Sequence, residues 1–146
     1  MLKQRAAGDK SWPIACSDTT LGTADKELDL SGAHLSYGDF KDATFIGAGA
    51  IRLDGAGLAN ADLSGSKLTA DSSYASAYYE TTIDFSGANL TNADLRGAEL
   101  NAVGAYVSTI DFSGANLASA VLSGATVETS YGEATSDFTK ANLADA

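Results

Sequence analysis

The side chains able to do chemistry are few, and their spacing limits what they can do. His34 is the only histidine and Cys16 the only cysteine. Any nucleophile–histidine pair has to be built on His34, and neither an internal disulfide nor a multi-cysteine metal site can form. His34 falls in a position that recurs as Gly57, Asn89, Asn116 and Asn142, an outward column rather than a place for a buried base. Gly47-Ala48-Gly49 and Gly55-Ala56-Gly57 look like phosphate loops, yet neither leads into a helix or carries the Lys-Ser/Thr pair that holds phosphate and magnesium. Aspartates also recur in columns, but without a cleft they make a weak case for acid–base work. The sequence therefore predicts a non-enzyme with no catalytic residue, no cofactor and no metal.

What positions these residues is a repeat. Leu or Phe returns every fifth residue in runs such as Leu30, Leu35, Phe40, Phe45 and Phe85, Leu90, Leu95, Leu100. A small residue stands two before most of them, as in Ala33, Ala56, Ala88 and Ala115, so A-x-L lies on one face of a short extended segment. The two remaining positions are small and turn-prone, as in Ser31-Gly32 and Ser64-Gly65, which bends the chain after each segment. A period of five suits neither an amphipathic helix nor a long flat strand. Four such sides close a coil, and the next coil stacks on it at the ~4.8 Å separation of hydrogen-bonded strands.

This pattern resembles the pentapeptide-repeat family, whose A-(D/N)-L-x-x unit stands here as Ala88-Asn89-Leu90, Ala93-Asp94-Leu95, Ala115-Asn116-Leu117 and Ala141-Asn142-Leu143. The resemblance covers residues 28–146 and implies an all-β, right-handed quadrilateral parallel β-helix, a solenoid of about four and a half coils. Residues 1–27 are expected to form an N-terminal arm or cap, with Trp12 laid over Leu30. The first interior ladder is predicted to be Leu30, Leu53, Phe85, Phe112 and Phe138.

The pattern breaks at 46–50, 69–82, 101–109 and 128–135, each time after the fourth side, so loops are expected along one edge of the rod. Tyr74, Tyr78, Tyr79, Tyr106 and Tyr131 fall there. They either close the irregular side by packing on one another or, as Tyr often does, dock a partner. The position before the inward Leu/Phe gives acidic columns, with Asp84, Asp111 and Asp137 on the first side and Asp94 on the third. Like charges one coil apart repel by ~1 kcal/mol in water, so these columns cost stability unless their oxygens accept hydrogen bonds or their field is used. The chain stops two sides into a coil, at Ala146, which leaves strand edges and Leu143 open at the C-terminal end.

Net charge is −10 over 146 residues, which argues against direct binding to nucleic acid or anionic lipid. No stretch is long and apolar enough to span a bilayer. The expected function is a scaffold or accessory subunit docking onto a multi-subunit protein complex, with self-association through the open end as a further option. The resemblance adds a photosynthetic or other membrane assembly, with thylakoid association, as the setting. The alternative is an acidic mimic of DNA that binds a topoisomerase, as gyrase-protecting members of the family do.

Overall fold

Each five-residue unit turns its own corner. In the first, the Ala33 amide donates to the Leu30 carbonyl at 3.0 Å, Gly32 takes the left-handed conformation with φ 63°, and the Ser31 amide donates to Asp29 Oδ1 at 3.0 Å. The corner recurs at Phe85–Ala88 and Phe112–Ala115, with amide–carbonyl distances of 2.9 and 3.0 Å. Positive φ at the third turn position favours Gly or Asn because no Cβ, or only a short polar side chain, crowds the carbonyl. Once the chain has turned, its outward amides and carbonyls point along the rod and find partners in the next level. The amides of Leu30, Leu53, Phe85 and Phe112 donate to the carbonyls of Arg52, Asp84, Asp111 and Asp137 at 2.7–2.8 Å.

The result, in this computed structural model describing residues 14–72 and 80–146, is a four-sided parallel β-solenoid that makes four full turns from Leu30 to Phe138. Its strands are β1 (Thr20–Thr23), β2 (Leu28–Asp29), β3 (Thr44–Ala48), β4 (Ala50–Arg52), β5 (Lys67–Asp71), β6 (Glu80–Asp84), β7 (Glu99–Val103), β8 (Val107–Asp111), β9 (Thr126–Ser130) and β10 (Glu133–Asp137). The fourth side is the parallel sheet β1-β3-β5-β7-β9, and the first side is the parallel sheet β2-β4-β6-β8-β10. The second and third sides are columns of single bridges: His34, Gly57, Asn89, Asn116, Asn142, and Ala15, Asp39, Asp62, Asp94, Val121.

The predicted interior ladder forms. Leu30, Leu53, Phe85 and Phe112 are buried, and Phe138 is 39% exposed. The rings of Phe85 and Phe112 stack with centroids 4.9 Å apart and planes 2° apart, and Phe138 continues the stack at 4.9 Å. That spacing follows the level repeat of the backbone. Each buried Leu or Phe contributes about 1.5–3 kcal/mol through lost apolar exposure.

One expectation changes, and the described part of the N-terminal segment joins the rod. Residues 14–27 do not stand apart from the rod: Ile14 is buried, the Cys16 amide donates to the Asp39 carbonyl at 2.7 Å, and β1 pairs in register with β3. They form a third and fourth side beneath the first level, because Ile14 is buried in the core and Cys16 and Leu21 pack partly buried against it. Trp12 lies outside the described residues. The extra residues at 46–50, 101–109 and 128–135 are not loops but mainly strand, since they prolong both sheets in register, Ala70 opposite Ala102 and Ile83 opposite Ile110.

Packing tolerances set two predictions. Gly38 occupies a position held elsewhere by Ala because a Cβ there would lie 2.3 Å from the Phe40 ring. Gly38→Ala is expected to lower stability by about 1–3 kcal/mol through overpacking, and Phe40→Leu in the same chain to recover part of that; urea denaturation reads both, and an additive double variant would contradict this packing. Ser66 takes the Ala position of the fourth side, one level on from Ala43, fully buried, with its hydroxyl lacking a partner. Ser66→Ala is expected to raise stability by about 1–3 kcal/mol, seen as a higher urea midpoint.

Candidate interaction surface

The corner between the fourth and first sides differs from the other three. Where those turn after one bridge, the five-residue strands β5, β7 and β9 run beyond the square and return as β6, β8 and β10. The added inward positions are small or hydroxylated: Ala70, Ala102, Thr81 and Ser108, all buried. Their hydroxyls tie the sheets together, Thr81 Oγ1 with Ser72 Oγ at 2.5 Å and Ser108 Oγ donating to the Ser130 carbonyl at 3.0 Å. Gly104 closes this fin, because a Cβ there would stand 2.4 Å from Thr81 Oγ1.

The tip of the fin carries Tyr106 and Tyr131, 51% and 73% exposed. The two-residue turn at Tyr131-Gly132 has φ 71° and 63°, and the Glu133 amide ties it to the level beneath by donating to the Tyr106 carbonyl at 2.7 Å. A left-handed Tyr costs roughly 1–2 kcal/mol relative to Gly, so the ring is held outward at a cost in stability. Glu80 and Glu133 stand in register on either side of Val107 at the starts of their strands, giving the tip acidic flanks. The structure thus brings Tyr106 and Tyr131 to one edge; Tyr74, Tyr78 and Tyr79 lie outside the described residues.

The acidic columns have a local task that residue type alone did not disclose. Asp84, Asp111 and Asp137 accept the amides of Ser86, Ser113 and Thr139 at 2.8, 2.6 and 2.7 Å. Asn89 and Asn116 cap the next corner in the same way. The signal was present in the sequence as Asp/Asn two residues before the first turn position, often followed there by Ser or Thr, a pattern of side chains that bond their own backbone two residues on. The Asn column also pairs along the rod, Asn142 Nδ2 donating to Asn116 Oδ1 at 3.1 Å.

Cations interrupt the acid. Arg52 stands in the first-side column beside Glu27, Lys67 pairs with Glu99 at 2.9 Å, and Arg96 pairs with Asp94. The Arg96 hydrogen bond holds the Asp94 carboxyl below its usual range, and the hydroxyl and amide of Thr139 do the same for Asp137. Burial pushes the Cys16 thiol up, the opposite of an activated nucleophile. His34 sits outward in the second-side column. Among the described residues no group of three or more His, Cys, Asp or Glu side chains is placed to hold a metal, and no helix is long and apolar enough to cross a membrane.

The family model for pentapeptide repeats matches in eight copies, with residues 83–103 as the matched stretch, the segment whose A-x-L units build β6, two bridged sides and β7. The chain belongs to the pentapeptide-repeat family. This pentapeptide-repeat chain is similar to Rfr23 of the cyanobacterium Cyanothece 51142 (18% identity over 90% of this chain and 85% of that one, TM-score 0.25). It is also similar to HetL, a protein involved in heterocyst differentiation regulation in the cyanobacterium Nostoc sp. PCC 7120 (22% identity over 90% and 84%, TM-score 0.21). No curated protein matches it.

If capping is the columns' first task, Asp84→Asn keeps stability within about 0.5 kcal/mol while Asp84→Ala loses about 1 kcal/mol or more; equal losses would contradict a capping role. Because folding depresses the Asp94 and Asp137 carboxyls, their contribution is present above the unfolded value near pH 4 and lost as pH falls through the lower folded values. The urea midpoint is expected to drop below about pH 4, and less steeply in a chain carrying Asp94→Asn and Asp137→Asn.

Proposed function

We propose that this chain is a non-enzymatic scaffold or accessory subunit that docks onto a larger protein assembly through the tip of its fin. The observation that carries the reading is the pair Tyr106 and Tyr131, 51% and 73% exposed on a corner that the backbone and buried hydroxyls hold rigid. Rigid, half-exposed aromatics bring large contact area at little entropic cost, which is why Tyr is enriched at interfaces. The acidic flanks at Glu80 and Glu133 favour a partner surface that brings basic residues. A photosynthetic or other membrane complex as that assembly rests on the Ala-Asn-Leu-rich repeat alone.

Mimicry of DNA toward a topoisomerase needs carboxylates along the whole rod. Supporting it are the aligned Asp84, Asp111 and Asp137 on the first side. Against it stand Arg52 in the same column and Arg96 bound to Asp94 on the third.

The docking reading is tested by isolating the native complex from source cells and measuring its reassembly with the unmodified chain and with Tyr106→Ser plus Tyr131→Ser. Both tyrosines are exposed, so the variant is expected to fold normally and to bind at least about tenfold more weakly. Unchanged affinity would overturn docking at the fin, and recovery of a topoisomerase with sensitivity to Asp84→Lys would favour mimicry.

A further inference from the structure

Three residues on the second side break the pattern of their columns, and they lie on neighbouring levels. Where Asn89, Asn116 and Asn142 continue the outward column, the two levels beneath carry His34 and Gly57. At the following corner, where Asn60, Asn92 and Ser119 take positive φ, the first level has Tyr37 at φ 61° and 44% exposed. Short polar side chains tolerate that conformation, and a bulky ring held in it is strained.

Gly57 has no local reason to be glycine. Its φ is not positive, and a Cβ there would meet only ordinary contacts, the nearest being Ser36 Oγ at 3.5 Å. Gly38 and Gly104, by contrast, are required by neighbours that a Cβ would meet at 2.3 and 2.4 Å. Asn suits the position better: Asn89 and Asn116 accept the amides of Thr91 and Ala118 at 3.2 and 3.1 Å, and Gly57 has no side chain to do the same for Ala59. Glycine also loses more chain entropy on folding. The column thus gives up a stabilising residue and leaves a gap one level high between His34 and Asn89. Asn89, with no side chain beneath it, is exposed where Asn116 is half-buried. Departures from a local rule that cost stability mark functional positions.

We propose that this gap receives one aromatic side chain of a partner protein, inserted as the missing rung of the column. Two levels separate the His34 and Asn89 backbones by about 9.6 Å, twice the strand spacing. A flat ring placed midway lies one level from each, the 4.9 Å at which Phe85 and Phe112 stack inside the rod. That height admits a single plane, which a ring fills and a polypeptide strand does not. The surroundings are polar and uncharged: Ser36 Oγ donates to the Gly57 carbonyl at 3.3 Å, and no carboxylate, Lys or Arg stands in the column. A neutral ring enters without losing the hydration of a charge, and Tyr37 at the adjoining corner offers it a second aromatic surface. A nucleotide would bring phosphate toward a chain of net charge −10, which like-sign repulsion disfavours. The corner at Tyr37 is diagonally opposite the fin, so this contact is separate from docking there and lets the rod bridge two partner surfaces.

Titrating the full chain, isotopically labelled for NMR, with N-acetyltyrosinamide provides the test. One ring without the rest of its protein binds weakly, with a dissociation constant on the order of 1 mM. Saturable shifts are expected at the amides of Ser36, Gly57 and Asn89, with none from N-acetylleucinamide. Gly57→Asn is expected to weaken binding at least about tenfold while leaving the urea midpoint unchanged or higher, since its amide fills the gap and caps Ala59. Tyr106→Ser plus Tyr131→Ser is expected to leave the titration unchanged, which separates this site from the fin. No saturable shift up to about 50 mM, equal shifts with the leucine amide, or unchanged binding by the Gly57→Asn chain would each overturn the proposal. A lower urea midpoint for Gly57→Asn would show that the backbone needs glycine there and would overturn it too. Saturation by adenosine with none by the tyrosine amide would replace it with a nucleoside site.

Discussion

The amide-to-carbonyl bonds between levels are the constraint on which the rest depends. They fix the spacing of the stack, so each inward side chain lies directly over its counterpart one coil away, as Phe85, Phe112 and Phe138 do at 4.9 Å. That spacing sets which volumes fit, why Gly replaces Ala beside Phe40, and why the fin tolerates only small or hydroxylated interior residues. It also dictates the surface. Side chains outside the rod come in columns at the same repeat, so charge, amide and aromatic groups are displayed as ordered rows on a rigid body.

The corners explain how a rod with such columns stays folded. Where Asp or Asn stands one residue before an inward Leu/Phe, its side chain accepts the amide two residues on, which turns a repulsive row of carboxylates into a row of caps. Since Asn performs the same capping on the second side as Asp does on the first and third, the corner does not dictate the charge of a side. The distribution of acid around the rod is therefore a surface property, and the neutral second side and acidic first side are separately available to partners.

Much of this was legible in the sequence because the repeat is short and local. Leu30, Leu53, Phe85 and Phe112 announce the ladder by spacing, and Ser-Gly pairs announce the corners. Sequence spacing suggests loops at 101–109 and 128–135 because their inward positions hold Ala, Ser and Thr, with no Leu to mark the period. Pairing in register makes them strands, 101–109 with β5 and β6 and 128–135 with β7 and β8, and that depends on neighbours a coil away. The paired sides at 14–27 are hidden for a similar reason: Ile14 and Leu21 do not continue the A-x-L spacing, though the backbone still finds its partners in the level beside it. The fin follows from both effects, and with it the placement of Tyr106 and Tyr131 on one edge, which sequence spacing suggested but could not orient.

Native-state hydrogen exchange tests in-register stacking most directly. The amides of Leu35, Leu58, Leu90 and Leu117 lie on the second side, outside the continuous strands, and each donates to the next level at 2.7–2.8 Å. Stacking predicts protection for them comparable with the amides of β5 and β7, exchanging through the same cooperative opening. Rapid, unprotected exchange at these four positions beside protected strands would show that the second side does not stack, and the account of a four-sided rod displaying ordered columns would fail.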